Sequence, residues 1–311
     1  MRRVIYFLSA VLSLTIQASC AIAQQPKQLS GNLSLSGAWA IYPLAVKWGE
    51  AFQKHHPRVR LEISAGGAGK GMTDALTGAV EIGMVSREVD KTEKAKGAFP
   101  VFIAKDGVFA TISAKNPSLK QILAKGISTG TFANIYITNR VTTWRQAVGG
   151  VNAPIHLYTR ADACGAASAW AATLGKYKQD NLKGIGVYGD PGLLEAVRRD
   201  PLGLGYNNLG FIFTGDNVTP GAVIVPIDAN HNGRVDKEER IDTRDKAYLE
   251  IASGRYPGSR REYFVTKGQP KGLAKAFIDF ALSPEGAKVL KDVGGYVPLS
   301  AAESAEQLKR F

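Results

Sequence analysis

Two strand–turn–helix units follow one another near the start of this chain, and they restrict its fold more than any other feature. Leu33-Ser34-Leu35-Ser36 alternates apolar and polar residues, as a half-buried strand does. Gly37-Ala38-Trp39-Ala40-Ile41-Tyr42 makes a turn, and Pro43 suits the first position of a helix with Leu44, Val46, Trp48, Ala51 and Phe52 on its apolar side. After Pro57, Val59, Leu61 and Ile63 alternate with Arg60 and Glu62, which predicts a second strand. The glycine-rich turn Ser64–Gly71 follows, then a helix over Met72–Thr77 and a third strand over Val80–Val85 that runs into Ser86-Arg87. Consecutive units of this kind require a parallel sheet with both turns at the carboxyl edge of the strands.

Further along, Val101-Phe102-Ile103 and Val108–Ile112 read as two strands, while Leu119–Trp144 shows no firm pattern. Gly192–Arg199 reads as a helix, Leu204-Gly205-Tyr206 and Tyr263-Phe264-Val265 as strands, and Leu273–Phe280 and Glu285–Asp292 as amphipathic helices.

A third turn of the same kind carries the chemistry. The run Ile155, Leu157, Tyr158 leads into Thr159-Arg160-Ala161-Asp162-Ala163-Cys164-Gly165, and a helix of small residues follows over Ala166–Leu174. The first turn of a helix offers unpaired N–H groups and the positive end of a dipole, which suit an anion. Arg160 adds a cation that can grip an oxyanion with two parallel bonds, and Asp162 is near enough to hold it. A surface ion pair beside an ordinary helix start would look the same in sequence. The glycine-rich turn is no nucleotide phosphate loop, because Met72 stands where that motif needs lysine after its last glycine.

At 311 residues and 45% hydrophobic, the chain suffices for about two domains with a real core. Its net charge of +12 permits an anionic partner. No lysine/arginine block is interleaved with aromatics, so nucleic acid is the weakest candidate. Residues 1–23 read as a secretory signal peptide, with Arg2-Arg3, the apolar run Val4–Ile16 and Ala21-Ile22-Ala23 before Gln24. Cleavage after Ala23 is expected to give a soluble, monomeric periplasmic or secreted product. A lipid anchor at Cys20 is disfavoured, because Gln17 stands where an aliphatic residue is usual. Cys164 is then the remaining cysteine, and no internal disulfide is expected.

In this order, the pieces resemble the phosphate-binding proteins of bacterial ABC importers, within the superfamily of periplasmic substrate-binding proteins. The matching stretches are Gly37–Leu44, Gly66–Gly71, Glu81–Arg87, Arg160–Ala166, Leu204–Tyr206, Leu282–Gly286 and Gly295–Pro298. The resemblance implies an α/β fold of two lobes, each a mixed, mostly parallel sheet flanked by helices, with two crossing strands as hinge. It places residues 25–112 and 263–311 in the first lobe and 113–262 in the second. It implies a small anion, phosphate or a related oxyanion, clamped in the cleft and passed to a membrane permease, without catalysis. The implied ligand-binding residues are Ala38, Trp39, Ala40, Gly67, Ala68, Gly69, Ser86, Arg87, Arg160, Asp162, Cys164, Gly165 and Ala166. The family commonly has threonine at Ala40, serine at Ala68, and serine and threonine at Cys164 and Ala166. Each lost hydrogen bond to an ionised group weakens binding by ~1.5–3 kcal/mol. Arg87 stands where many phosphate binders have an aspartate, which predicts poor discrimination against sulfate. Another organic anion therefore stays open as ligand, and so does a ligand-sensing role.

Two further readings are independent of that resemblance. Asp228–Glu239 fits the EF-hand calcium loop, with Asp228, Asn230, Asn232 and Asp236 at the side-chain positions. Gly233 is at the sharp turn, Arg234 lends its carbonyl, and Glu239 closes the loop. A structural Ca²⁺ of weak to moderate affinity is expected. A phosphate-ester hydrolase using Cys164 as nucleophile is poorly supported. Arg160 precedes the thiol instead of following it on the loop, and His55, His56, His156 and His231 form no base cluster.

Overall fold

The computed structural model describes residues 29–311; the expected signal peptide and Cys20 lie outside the described residues. The described residues form eleven strands: β1 Ser30–Gly37, β2 Arg58–Ala65, β3 Ile82–Val85, β4 Ala98–Ser113, β5 His156–Arg160, β6 Ile185–Val187, β7 Gly203–Asn208, β8 Phe213–Thr214, β9 Asn217–Val218, β10 Ala222–Ile224 and β11 Ser259–Lys267. Nine of them form one sheet in the order β2-β1-β3-β11-β4-β7-β5-β6, with β10 on β4, while β8 and β9 pair separately.

The two early strand–turn–helix units behave as their sequence requires. β1 pairs in parallel with β2 and β3. The helix Tyr42–His55 has Pro43 as its second residue and buries Leu44, Trp48 and Phe52. β5 lies parallel to β6 and β7 at the other end of the sheet. The antiparallel exceptions are the long strands β4 and β11. β4 pairs with β11 as far as Gly107 and then with β7 from Val108. That exchange of partners is the crossing between lobes, and it makes one continuous strand of what the sequence presents as two.

Two separate hydrophobic cores result. One draws on Leu33–Ala104 and Tyr263–Tyr296, around Trp48, Phe264 and Phe277. The other draws on Val108–Tyr256, around Phe132, Trp170 and Tyr206. Val108–Ile112, grouped by sequence with the first lobe, packs in the second core because β4 has already changed partner there. We accordingly propose the lobe division at Gly107 and near Gly258. The unpatterned stretch 119–144 contributes three short helices, Leu119–Lys125, Thr129–Tyr136 and Trp144–Val148. Ile122, Phe132 and Trp144 are their buried anchors, one or a few per helix, too few to mark a period.

The glycine-rich turn departs from expectation. Its helix begins at Ala68, four residues before Met72, so Gly69 and Gly71 are helical. Their role is close approach: a Cβ on Gly71 would lie 2.5 Å from the Met84 carbonyl, and one on Gly69 would lie 2.9 Å from the Ala163 Cβ. Gly67, at φ 92°, makes the turn itself.

Candidate anion-binding site

Four segments meet where the lobes face each other. From the first lobe come Ala38-Trp39-Ala40, Gly66–Gly69 and Ser86; from the second comes Arg160–Ala166. The Gly69 N–H donates to the Ala163 carbonyl across the cleft at 3.1 Å. A Cβ on Gly67 would lie 3.0 Å from Asp162 Oδ2, and one on Gly165 would lie 2.1 Å from Ser86 Oγ. Trp39 sets its ring edge-on to Tyr188, 6.0 Å between centroids, and lies against Gly189. Its indole N–H is buried with no hydrogen-bond partner.

Small residues permit this closeness. Ala38, Ala40, Ala68, Cys164 and Ala166 are all buried. The helix Gly165–Thr173 begins at the cleft, and the Cys164 thiol accepts from the Ala167 N–H at 3.4 Å, a weak substitute for a hydroxyl cap. The first N–H groups of this helix and of Ala68–Thr77 have no acceptor within their own helices. With the Gly69 N–H taken by Ala163 and the Ala167 N–H by the Cys164 thiol, the others are the donors an anion would meet.

Arg160, at the end of β5, is wholly buried in its side chain. Asp162 binds it through two bonds, Nε to Oδ1 at 2.8 Å and Nη2 to Oδ2 at 2.6 Å. A second carboxylate, Asp190, takes Nη1 at 2.6 Å. The backbone N–H of Gly189 also donates to Asp162, and that of Asn208 to Asp190. Burial alone would weaken the charge on Arg160; Asp190 and then the other nearby anions more than offset this and hold it cationic. For Asp190, burial dominates and pushes its carboxyl above the usual range, with Arg160 and Arg260 opposing.

Gln179, from the short helical turn Gln179–Asn181, clamps the loop from outside. Its Nε2 donates to the Asp162 carbonyl at 2.6 Å and its Oε1 accepts from the Cys164 N–H at 3.0 Å. Beneath the cleft, at the lobe crossing, sits a second buried arginine. Arg260 Nη2 bonds Asp106 Oδ2 at 2.5 Å, Nη1 donates to the Ser86 carbonyl at 3.2 Å, and Nη2 reaches Asn208 of the other lobe. Its Nε lies 3.1 Å from Glu262. Sequence analysis missed Asp190, Gln179, Arg260, Asp106 and Glu262.

Arg87 lies at a cavity lined from both lobes and is itself paired. Glu93 holds it by two bonds of 2.7 and 2.9 Å, and it lines a side cavity with Glu88, Ser168 and Thr173. Its charge is spent within its own lobe. Cys164 is no activated nucleophile, since burial pushes its thiol up to about 12 against the pull of Arg160.

A family model described as a PBP superfamily domain matches residues 23–285. The chain belongs to the PBP superfamily. It is 28% identical over 285 residues to the phosphate-binding protein PstS of Bacillus subtilis, covering 89% of this chain and 84% of that one. Over 317 residues it is 26% identical to PstS of Pseudomonas aeruginosa, covering 93% and 89%. Among solved structures, a phosphate ABC transporter substrate-binding protein of Clostridium perfringens with bound phosphate superposes with a TM-score of 0.72 at 26% identity. That match covers 87% of this chain and all of the other. The two-lobed α/β architecture is thus that of the superfamily.

The loop Asp228–Glu239 lies in the second lobe, between β10 and the helix Arg244–Ala252. Asp228 accepts from the N–H groups of Asn232 and Gly233 at 3.0 and 3.1 Å. Asp236 Oδ2 accepts from the amides of Asn230 and Asn232, and Glu239 from the N–H groups of Ala229 and Asp236. Arg234 turns its side chain to Asp236. Among the described residues no three acidic, histidine or cysteine side chains converge as a metal cluster. The donor set here is mixed, with asparagine and carbonyl oxygens beside three carboxylates. Among those residues, too, no helix is long and apolar enough to cross a membrane.

Proposed function

We propose that this chain is an exported solute-binding protein that captures phosphate, or a related oxyanion, between its lobes and delivers it to an ABC permease. The observation that carries this is the contact of Gly69 with Ala163. It sets the amino end of one small-residue helix against the Arg160 turn and a second helix start, so dipoles and N–H donors of both lobes converge on one point. Every relative named above is called phosphate-binding or a phosphate transporter component, which favours phosphate over other anions. The missing hydroxyls leave backbone N–H groups, the Ser86 hydroxyl, the indole of Trp39 and Arg160 as the donor set.

Binding rather than catalysis fits the chemistry. The protonated thiol of Cys164 and the doubly paired Arg160 leave no nucleophile beside a free cation. We place the mature protein in the periplasm or outside the cell, as a monomer, and assign the Asp228–Glu239 loop a structural calcium ion. Calorimetry of the ligand-stripped protein with phosphate, sulfate and a few organic anions at one ionic strength tests the ligand. Phosphate should bind with one site per chain. Binding of an organic anion with no response to phosphate would replace this reading by the organic-anion one.

A further inference from the structure

Asp190 has no part in the resemblance, yet it is among the most deeply buried groups of the site and it bonds Arg160, a cation expected to meet the ligand. A guanidinium has five N–H groups. Asp162 takes two of Arg160's and Asp190 a third, leaving one on each Nη nitrogen. Two carboxylates against one guanidinium give this cluster a net negative charge. The second buried arginine does not reverse the sign, because Arg260 is itself paired with the Asp106 carboxylate. The overall +12 of the chain is therefore not matched by the local charge balance where the anion would sit.

Asp162 alone would suffice to orient Arg160, through a side-by-side bidentate pair. Its backbone is fixed independently, since the Arg160 N–H donates to Tyr206 at 3.2 Å. The extra carboxylate adds no needed constraint, and it opposes an incoming anion electrostatically in a medium where charges are poorly screened.

We infer that Asp190 competes with the bound anion for Arg160 and lowers the affinity of the site. This rests on the anion-binding reading given above. Asp190→Asn keeps the shape and one acceptor oxygen. That oxygen can stay on Nη1, and the exchange then loses only the 3.4 Å bond from the Asn208 N–H.

Calorimetric titration of the parent and Asp190→Asn with inorganic phosphate and with sulfate tests it. The variant should bind tighter by about tenfold or more, the size expected for one charge removed a few ångströms away. A purely structural role for Asp190 predicts unchanged or weaker binding, and either result in a folded variant overturns the inference. Should Asp190→Asn not fold by circular dichroism, Asp190→Ser is read the same way. The phosphate reading falls separately: it fails if neither protein responds to phosphate while sulfate still shows the gain. Silence of both proteins towards both anions removes both claims.

Discussion

Gly165 stands against Ser86 across the cleft so closely that a single added Cβ would lie 2.1 Å from the serine Oγ and 2.2 Å from its carbonyl oxygen. The two residues belong to different lobes, so a clash here can be relieved by opening the cleft without unfolding either core. Gly165→Ala should therefore leave the melting temperature of the ligand-free protein within a few degrees. It should weaken oxyanion binding by about a hundredfold. Small-angle scattering would check the mechanism, since the variant should stay extended at ligand concentrations that compact the parent. Parent-like affinity would show that the lobes need not approach this far.

Arg160→Ala removes the partner of two buried carboxylates at once. A merely peripheral ligand contact could be deleted without harm to the fold; this one cannot. Breaking a buried pair from one side costs about 3–5 kcal/mol, so the variant should melt far below the parent. The triple change Arg160→Ala, Asp162→Asn, Asp190→Asn should recover much of the loss. Denaturant unfolding of the three proteins checks this, and an Arg160→Ala protein as stable as the parent would contradict the pairing.

Gln179→Ala should loosen the loop that presents Gly165 and Ala166, because both ends of the amide hold it. Two hydrogen bonds of this kind contribute about 0.5–1.5 kcal/mol each, so phosphate affinity should fall roughly tenfold. Gln179→Glu keeps the acceptor for Cys164 but sets a carboxylate oxygen against the Asp162 carbonyl and adds a negative charge beside the site, so it should weaken binding more than Gln179→Ala. A loop that is rigid without Gln179 would show no graded series in calorimetry.

These three cases show where the sequence was legible. Arg160 and Asp162 are two residues apart at a strand end, and local spacing sufficed to pair them. The strand–turn–helix units were equally plain, because their periods are local. Asp190 reaches Arg160 from 30 residues away, Gln179 reaches Asp162 from 17, and Arg260 reaches Asp106 across 154. No periodicity links such positions; the crossing of β4 and β11 and the return of the second lobe bring them together. For Arg87 the partner is local but was not read from the sequence. Its local turn suits a ligand, but Glu93, six residues on, captures it.

Calcium should stabilise the second lobe if the Asp228–Glu239 loop takes it. Chelation is expected to lower the melting temperature by a few degrees, and Glu239→Gln should melt like the chelated parent in either condition. Glu239 also accepts from Ala229 and Asp236, so the informative comparison is the calcium-dependent difference within each protein. A parent that melts alike in calcium and chelator carries no such site.

Glu262 gives the last prediction, on stability against pH. It is fully buried on β11 where the lobes cross, and neither carboxylate oxygen has a hydrogen-bond partner. Burial pushes its carboxyl well above the usual 4.5; Arg260 opposes this and Asp106 reinforces it. The folded state therefore holds a proton that the unfolded chain releases near its ordinary value. In the window from that value up to the raised folded one, the native state binds more protons, so stability falls as pH rises. Glu262→Gln mimics the protonated form at every pH. It should be more stable than the parent at neutral pH and show a flatter profile, with the difference closing at acid pH where the parent is protonated in both states. Urea unfolding at about four pH values would measure this. A parent and variant that keep a constant separation across the range would mean that Glu262 is ionised in the fold, held there by Arg260.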